Sequence, residues 1–509
     1  MIITGLGHSE LIVEMKNKKG NTVRLLSDAW LSDYAFGDFM ERFPRLNIDW
    51  KNFPKLDGVF LSHAHCDHFD PYTLVELYKH QQPEILIPET LTYLEETIRK
   101  HLPEVVIHVL ADREVVKWKG LELYGIIFRQ TYLTNEDDVM TLSLNNKKEF
   151  LYIEVDTAIP ETEEAHRELW ELFRKRSYET VCHISTRNEL GGIFKSLDAK
   201  TTKERKIQVA DFLSTIEDET AWDYMKHDDG MVDYPDISRV KNLVRLFNGQ
   251  GIVFPQDLGT QFDPILVPLT LEDTVKQEQN IAGEYGRDIP MSALLAGNVF
   301  DIQNGKIPKA SKAHFFQLLN DRDFRFQPDT PVFRIIKNQP VNKSCPENLT
   351  NKAFWSIFLS FLNERFMPYQ LAHLDAPLRE MVLRSENKKF TIAVKFGSED
   401  GYETEYCSYS FETMKFVYEK TETQVYSEIY WANDLVDLFA GRQEMFSTFL
   451  HALEAGKTMH FWTCLGMPFV ASDCVQKKME LHFQRAAAGK DVASYLQPIF
   501  KRALGERDS

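Results

Sequence analysis

The chain has 509 residues, of which 43% are hydrophobic and 27% charged, with a formal net charge of −17. That length exceeds what one hydrophobic core serves, so two or three domains of a soluble globular protein are expected. No stretch approaches the ~20 apolar residues of a membrane span, and a surface this acidic repels nucleic-acid phosphates and anionic lipid. The expected partner is therefore a small-molecule substrate, with no nucleic acid and no membrane. The first fifteen residues lack the basic, apolar and small-residue order of a signal peptide. The cysteines at 66, 182, 345, 407, 464 and 474 are scattered and form no CxxC pair. A reducing cytoplasm is the expected compartment, with no disulfide framework.

In chain order, residues 11–15 and 23–26 alternate like strands around a Lys18–Asn21 turn, which predicts a hairpin. Residues 58–62 form a short apolar strand, and 71–78 have helical spacing with Pro71 in the first turn. A strand at 84–88 and a helix at 91–98 follow. Alternating strands and helices with hairpins predict a layered α/β architecture. Residues 161–245 read mainly as helices, and 251–255 as the last strand of the first domain. A Pro-bearing polar stretch at 325–350 reads as a linker. Beyond it, an apolar helical pattern runs through Phe354, Ile357, Phe358 and Phe361. Strands at 390–396 and 402–409 and several amphipathic helices complete an α+β domain. The expected division is 1–265, an extension and linker over 266–345, and a C-terminal domain over 346–509.

The chemistry concentrates in His63-Ala64-His65-Cys66-Asp67-His68. His63 and His65 lie two apart just after a strand, so in extended backbone they project the same way. Asp67 and His68 continue into the turn before a helix. Four donors in six residues can line one cavity or divide between two adjacent ions. Imidazole suits zinc and iron, while the carboxylate can ligate, bridge or act as base.

This motif resembles the signature of the metallo-β-lactamase superfamily, which implies a four-layer αββα sandwich over roughly the first half of the chain. By the same resemblance, Asp28 matches the acidic residue before the first loop. The segment 150–157, ending on Asp156, matches the strand whose terminal aspartate bridges two metals. Gly5–Ser9 resembles the opening strand of the L-ascorbate-6-phosphate lactonase and phosphatidylethanolamine-specific phospholipase D types.

Two further histidines of the pattern are missing. One should precede Asp156 by some twenty residues, where the chain has Glu136, Asp137 and Asp138. The other should follow the last core strand, where Gln256 stands. His183 and His227 fall in the expected helical region. A carboxylate at Glu136 or Asp137 would enrich the site in oxygen donors, which suits non-haem iron; an unfilled position would leave a single metal on His63, His65 and Asp156. Residues 26–36, 62–74 and 83–88 are similar to CMP-N-acetylneuraminate hydroxylases, whose metallo-β-lactamase-like domain works with iron and a Rieske cluster. No Cys-x-His…Cys-x-x-His pair is present, so no Rieske domain is expected in this chain. Diiron hydroxylases of the same fold carry a glutamate in place of the usual histidine.

Three readings follow. In the first, His63, His65, Asp67, His68 and Asp156, with Glu136, hold one or two irons for oxygenation, with electrons from a separate donor protein, a second iron or the substrate. In the second, zinc or another divalent ion supports hydrolysis of an ester, lactone or phosphodiester, with Asp67 as base. The third is a metal-stabilised scaffold. Iron oxidation is the modest favourite, and the C-terminal domain is open to covering the site, binding a substrate tail or forming a homodimer.

Overall fold

In the computed structural model the described residues are 1–35, 40–42, 44–128, 138–156, 178–187, 240–249, 252–253, 271–284, 288–319, 350–366, 390–398, 401–410, 413–419, 428–439 and 472–489. The chain opens with β1 (Ile2–Gly7), β2 (Glu10–Lys16) and β3 (Thr22–Ser27) in antiparallel array. The β2–β3 turn closes because Asn17 Oδ1 accepts from the amides of Lys19 and Asn21, while Gly20 takes φ +83°. After β3 come β4 (Gly58–Phe60), β5 (Glu84–Pro88) and β6 (Ile107–Leu110), each parallel to the strand before it.

Helix α1 (Pro71–His80) crosses from β4 to β5. Asp70 caps it by accepting from the amides of Tyr72 and Thr73, and Pro71 presets the first turn. The expected helix at 91–98 is a 3₁₀ turn over Glu89–Leu94 followed by α2 (Glu95–His101).

The second sheet runs in chain order: β7 (Val115–Trp118), β8 (Leu121–Phe128), β9 (Val139–Asn145), β10 (Glu149–Ile153), β11 (Thr180–Arg187), β12 (Leu243–Gly249) and, after helix α3 (Leu271–Glu284), β13 (Met291–Ala293). Then β14 (Asn298–Asp301) and β15 (Ser311–Lys312) return to the outer edge of the first sheet beside β1. Both sheets thus draw strands from beyond residue 265.

One expectation is corrected. Residues 180–187 and 243–249 are central strands, although 161–245 reads mainly as helices, and this places His183 in β11. Of the strand expected at 251–255, the described residues Ile252–Val253 are extended and bond to Met40–Arg42, outside the main sheets. His183 and Arg245 caused the misreading. They are register partners on β11 and β12, and both are buried polar residues. His183 meets Glu154 at 3.2 Å and Arg245 meets Glu278 of α3 at 2.9 Å, so these strands lack clean apolar alternation.

The sheets face each other across one core. Leu11, Val13, Leu25, Phe60 and Leu86 from the first meet Leu123, Met140, Leu142, Ile153, Ile184 and Leu246 from the second. Outside the second sheet, Leu271 and Val275 of α3 cover Phe150, Tyr152 and Phe247. Outside the first, α1 and α2 cover Leu26, Val59, Ile85 and Ile87. Helix, sheet, sheet and helix make the four-layer αββα sandwich.

Further along, α4 (Asn351–Phe361) accompanies a four-stranded sheet of β16 (Phe390–Ser398), β17 (Gly401–Ser410), β18 (Lys415–Glu419) and β19 (Glu428–Trp431), with α5 (Ala432–Phe439) next. The last described helix, α6 (Ser472–Ala487), packs on α1 and α2 of the sandwich. Its Val475, Met479 and Phe483 are fully part of that outer core.

Candidate metal centre

The strand β4 ends at Phe60, and Leu61 and Ser62 carry the chain to the rim of the sandwich between the two sheets. Ser62 is fixed from three sides. Its amide donates to Asp28 Oδ1 (2.8 Å), its hydroxyl donates to Asp28 Oδ2 (3.0 Å), and its carbonyl accepts from Met140 N (3.2 Å). The loop then folds back on itself, with the amides of His68 and Phe69 donating to the carbonyl of His65.

The histidine tautomers follow from this network. Since the Ser62 hydroxyl proton goes to Asp28, Ser62 Oγ accepts from His63 Nδ1 at 2.9 Å. His63 Nε2 is then an unprotonated lone pair, buried and without a hydrogen-bond partner. His68 Nδ1 likewise lies 2.8 Å from Asp28 Oδ2, which turns its Nε2 inward. Asp28 thus orients two imidazoles at once, one directly and one through Ser62, as outer-shell carboxylates do around metals.

Five of the residues singled out in the sequence come together. The rings of His63 and His65 are 4.5 Å apart, and those of His63 and His68 4.2 Å. His68 Nε2 is 2.9 Å from Asp156 Oδ2 and 3.7 Å from Asp67 Oδ2. Asp156 arrives from the far sheet, just beyond β10, after Val155 has turned the chain through φ +57°. Glu136, Asp137, His227 and Gln256 lie outside the described residues. Of the acidic run, Asp138 is described, buried immediately before β9. His183, whose partner is Glu154, packs against Tyr152 among the residues under α3.

The electrostatics are those of a pocket built for a cation. Burial disfavours charge on His68, yet Asp156, Asp67 and Asp28 together raise its pKa well above the ordinary value of 6.5. Burial also opposes ionisation of Asp156 and Asp67, but His68 holds both carboxyls below their usual range. His63 is kept neutral, first by burial and then by the neighbouring His68 and His65. A neutral imidazole and an ionised carboxylate are the forms that ligate metals. The orphaned His63 Nε2 and Asp67 Oδ1, both buried without a partner, fit that use.

One residue went unrecognised as a donor. His8, in the turn between β1 and β2, is fully buried and points Nε2 at Asp67 Oδ2 from 3.1 Å. Single ligand atoms from His8, Asp67, His68 and Asp156 all lie within 4.8 Å of one another. The adjoining Ser9 hydroxyl reaches Asp156 Oδ1 at 3.4 Å. Beneath the turn, Arg42 donates to the carbonyls of Leu6 (2.7 Å) and Gly7 (3.2 Å), to that of Trp30, and to Glu10 (2.7 Å). The sequence signal was the Gly-His-Ser break at the end of a strand. Nothing local to it says that Asp67 will lie opposite.

Residues 23–172 match the family described as Beta-lactamase superfamily domain. A Mycolicibacterium smegmatis protein, named for a Rieske 2Fe-2S iron–sulfur centre, is 27% identical over 108 residues, which are 21% of this chain and 19% of that one. The diiron β-hydroxylase CmlA from Streptomyces venezuelae superposes with a TM-score of 0.34 at 13% identity, over 58% of this chain and 52% of that one. YhfI of Bacillus subtilis, a metallo-β-lactamase fold protein, gives a TM-score of 0.24 at 13% identity, over 37% and 72% of the two chains. The chain thus spans about half the length of the β-hydroxylase and a fifth of the Rieske-named relative. The sandwich of two facing sheets has the metallo-β-lactamase fold, and within it residues 23–172 are similar to the β-lactamase superfamily domain.

Proposed function

We propose that this chain is a non-haem iron oxygenase that hydroxylates a small molecule in the cytoplasm, with one or two irons held at the His63–His68 loop and Asp156. The observation that carries the reading is the donor set: imidazoles alternating with the carboxylates of Asp67 and Asp156, and an acidic run at 136–138 where the superfamily pattern has a histidine. Oxygen-rich His/carboxylate sets with open positions suit iron. The resemblance of residues 26–36, 62–74 and 83–88 to CMP-N-acetylneuraminate hydroxylases points in the same direction, as does a relative named for an iron–sulfur centre.

When bound, iron supplies the dioxygen chemistry. The chain's own part is to present His63 and His68 with Nε2 inward, to keep Asp67 and Asp156 ionised, and to keep the floor of the site dry through Trp30 and the buried turn at His8. With no Rieske motif in this sequence, electrons would come from a separate donor protein, from a second iron or from the substrate. Hydrolysis of an ester, lactone or phosphodiester by a divalent metal is the second reading. It is favoured by the family match over 23–172, with Asp67 as the base.

Metal analysis of protein purified without oxygen, together with Mössbauer spectra, separates the two. Up to two irons per chain, with coupled signals if dinuclear, is the expected result. Stoichiometric zinc accompanied by esterase or phosphodiesterase turnover would overturn the oxygenase reading.

A further inference from the structure

We propose that His8 is a metal ligand, completing the set of Asp67, His68 and Asp156 in place of the histidine that the superfamily pattern puts after the last core strand. The proposal deepens the reading of this site as a metal centre and rests on it.

The argument begins with what the loop can supply. His63 lies edge to face with His65 and close to His68, while the ligand atoms of Asp67, His68 and Asp156 gather at a second position. Among the described residues, Asp67, His68 and Asp156 bring three donors to that second position, and position 256 holds glutamine where the pattern has histidine. An imidazole nevertheless stands there. The ligand atoms of His8, Asp67, His68 and Asp156 are mutually within 4.8 Å, close enough to converge on one ion.

The route by which His8 reaches this place is informative. The Gly249 amide donates to the His8 carbonyl at 2.9 Å, and the two residues form a β-bridge. Gly249 is the last residue of β12. The β1–β2 turn therefore delivers a histidine to the C-terminal end of β12.

The turn is also built to aim it. His8 sits at φ +50°, a left-handed conformation that strains a non-glycine residue and collects at functional sites. Gly7 before it takes φ +98°, with an Arg42 nitrogen 3.5 Å from where a Cβ would lie. Asn248 Nδ2 donates to the Ser9 carbonyl at 3.1 Å, and Arg42 with Glu10 locks the turn from below. The ring's edge-on contact with Trp30, centroids 5.2 Å apart, leaves it one direction to face. Coordination would take the neutral ring through Nε2, the nitrogen that faces Asp67.

Cobalt(II) titration of the full chain, followed by optical spectroscopy, tests this with wild type, His8→Ala and His8→Cys. The wild type is expected to bind two ions. His8→Ala should keep one and bind the other at least tenfold more weakly, since loss of an outer-shell partner alone costs about 10–100-fold. Added imidazole should restore it. His8→Cys should add a thiolate-to-cobalt charge-transfer band, which a variant that merely repacked the turn would lack, and it also covers the case of an unstable alanine variant. Should wild type bind one ion only, the proposal requires that ion to be lost in His8→Ala. Undiminished affinity in His8→Ala, with no thiolate band in His8→Cys, overturns the role of His8 and leaves the metal centre standing. A wild type that takes up no metal overturns the metal-centre reading itself.

Discussion

Asp28 concentrates more of the site's order than any ligand does. One carboxylate holds the backbone and hydroxyl of Ser62 and the Nδ1 of His68, and through Ser62 it sets the tautomer of His63. It does so from φ +54°, where aspartate and asparagine are tolerated better than other side chains. Asp28→Asn therefore keeps the shape and the backbone while putting a donor where Oδ2 accepts from both Ser62 Oγ and His68 Nδ1. Its metal affinity should fall about 10–100-fold, with the circular-dichroism spectrum unchanged; competition with a chromophoric chelator reads the difference. Ser62→Ala should lower affinity less, because His68 keeps its own bond to Asp28.

Among elements, the β1–β2 turn is the one whose loss would be felt most widely. Arg42 and Glu10 are both fully buried, and Arg42 serves three backbone carbonyls besides. Burial raises the Glu10 pKa to about 7, against the pull of Arg42 and the nearby histidines. Removing one partner of a buried pair costs about 3–5 kcal/mol, whereas replacing both with apolar groups is often near neutral. Arg42→Met is expected to lower stability by that amount in urea unfolding, and Glu10→Leu combined with Arg42→Met to recover much of it. Equal destabilisation of single and double variants would show that the carbonyl contacts matter more than the ion pair.

These two examples mark what could be read from sequence. The β2–β3 hairpin, the Asp70-capped helix α1 and the apolar strands β4 and β5 were legible because their signals are local. The His63–His68 spacing was legible for the same reason, and Asp156 through resemblance. His8 was not, since its meaning depends on β12 arriving beside it some 240 residues later. Strands β11 and β12 were missed because His183 and Arg245 find buried carboxylate partners, which breaks the alternation that marks a strand.

At the scale of the molecule, α6 joins the end of the described chain to its beginning. Phe483 packs edge-on to Phe69, the residue after His68, and stacks on His101. Glu480 meets Lys100 and lies 3.0 Å from His101. Phe483→Ala should cost about 3–5 kcal/mol in thermal or urea unfolding, the range for a buried phenylalanine. Burial resists ionisation of Glu480, but its bonds to Lys100, Gln484 and His101 pull its pKa down to about 2 from 4.5. A carboxyl depressed in the folded state stabilises above its unfolded pKa and loses that contribution as pH falls. Wild type should thus lose more stability than Glu480→Gln between pH 4.5 and about 2, read by melting temperatures across that range.

The position of α6 also imposes an order on biosynthesis. The outer faces of α1 and α2 emerge from the ribosome with Leu74, Leu77 and Ile98 ready to be covered, but the helix that covers them follows only after the chain between His101 and Ser472 is made. At about 5–20 residues per second, translation of the intervening chain takes on the order of tens of seconds. For that interval the nascent sandwich shows a sticky face beside its metal loop, a natural platform for a chaperone. Covering of that face is then tied to the arrival of α6.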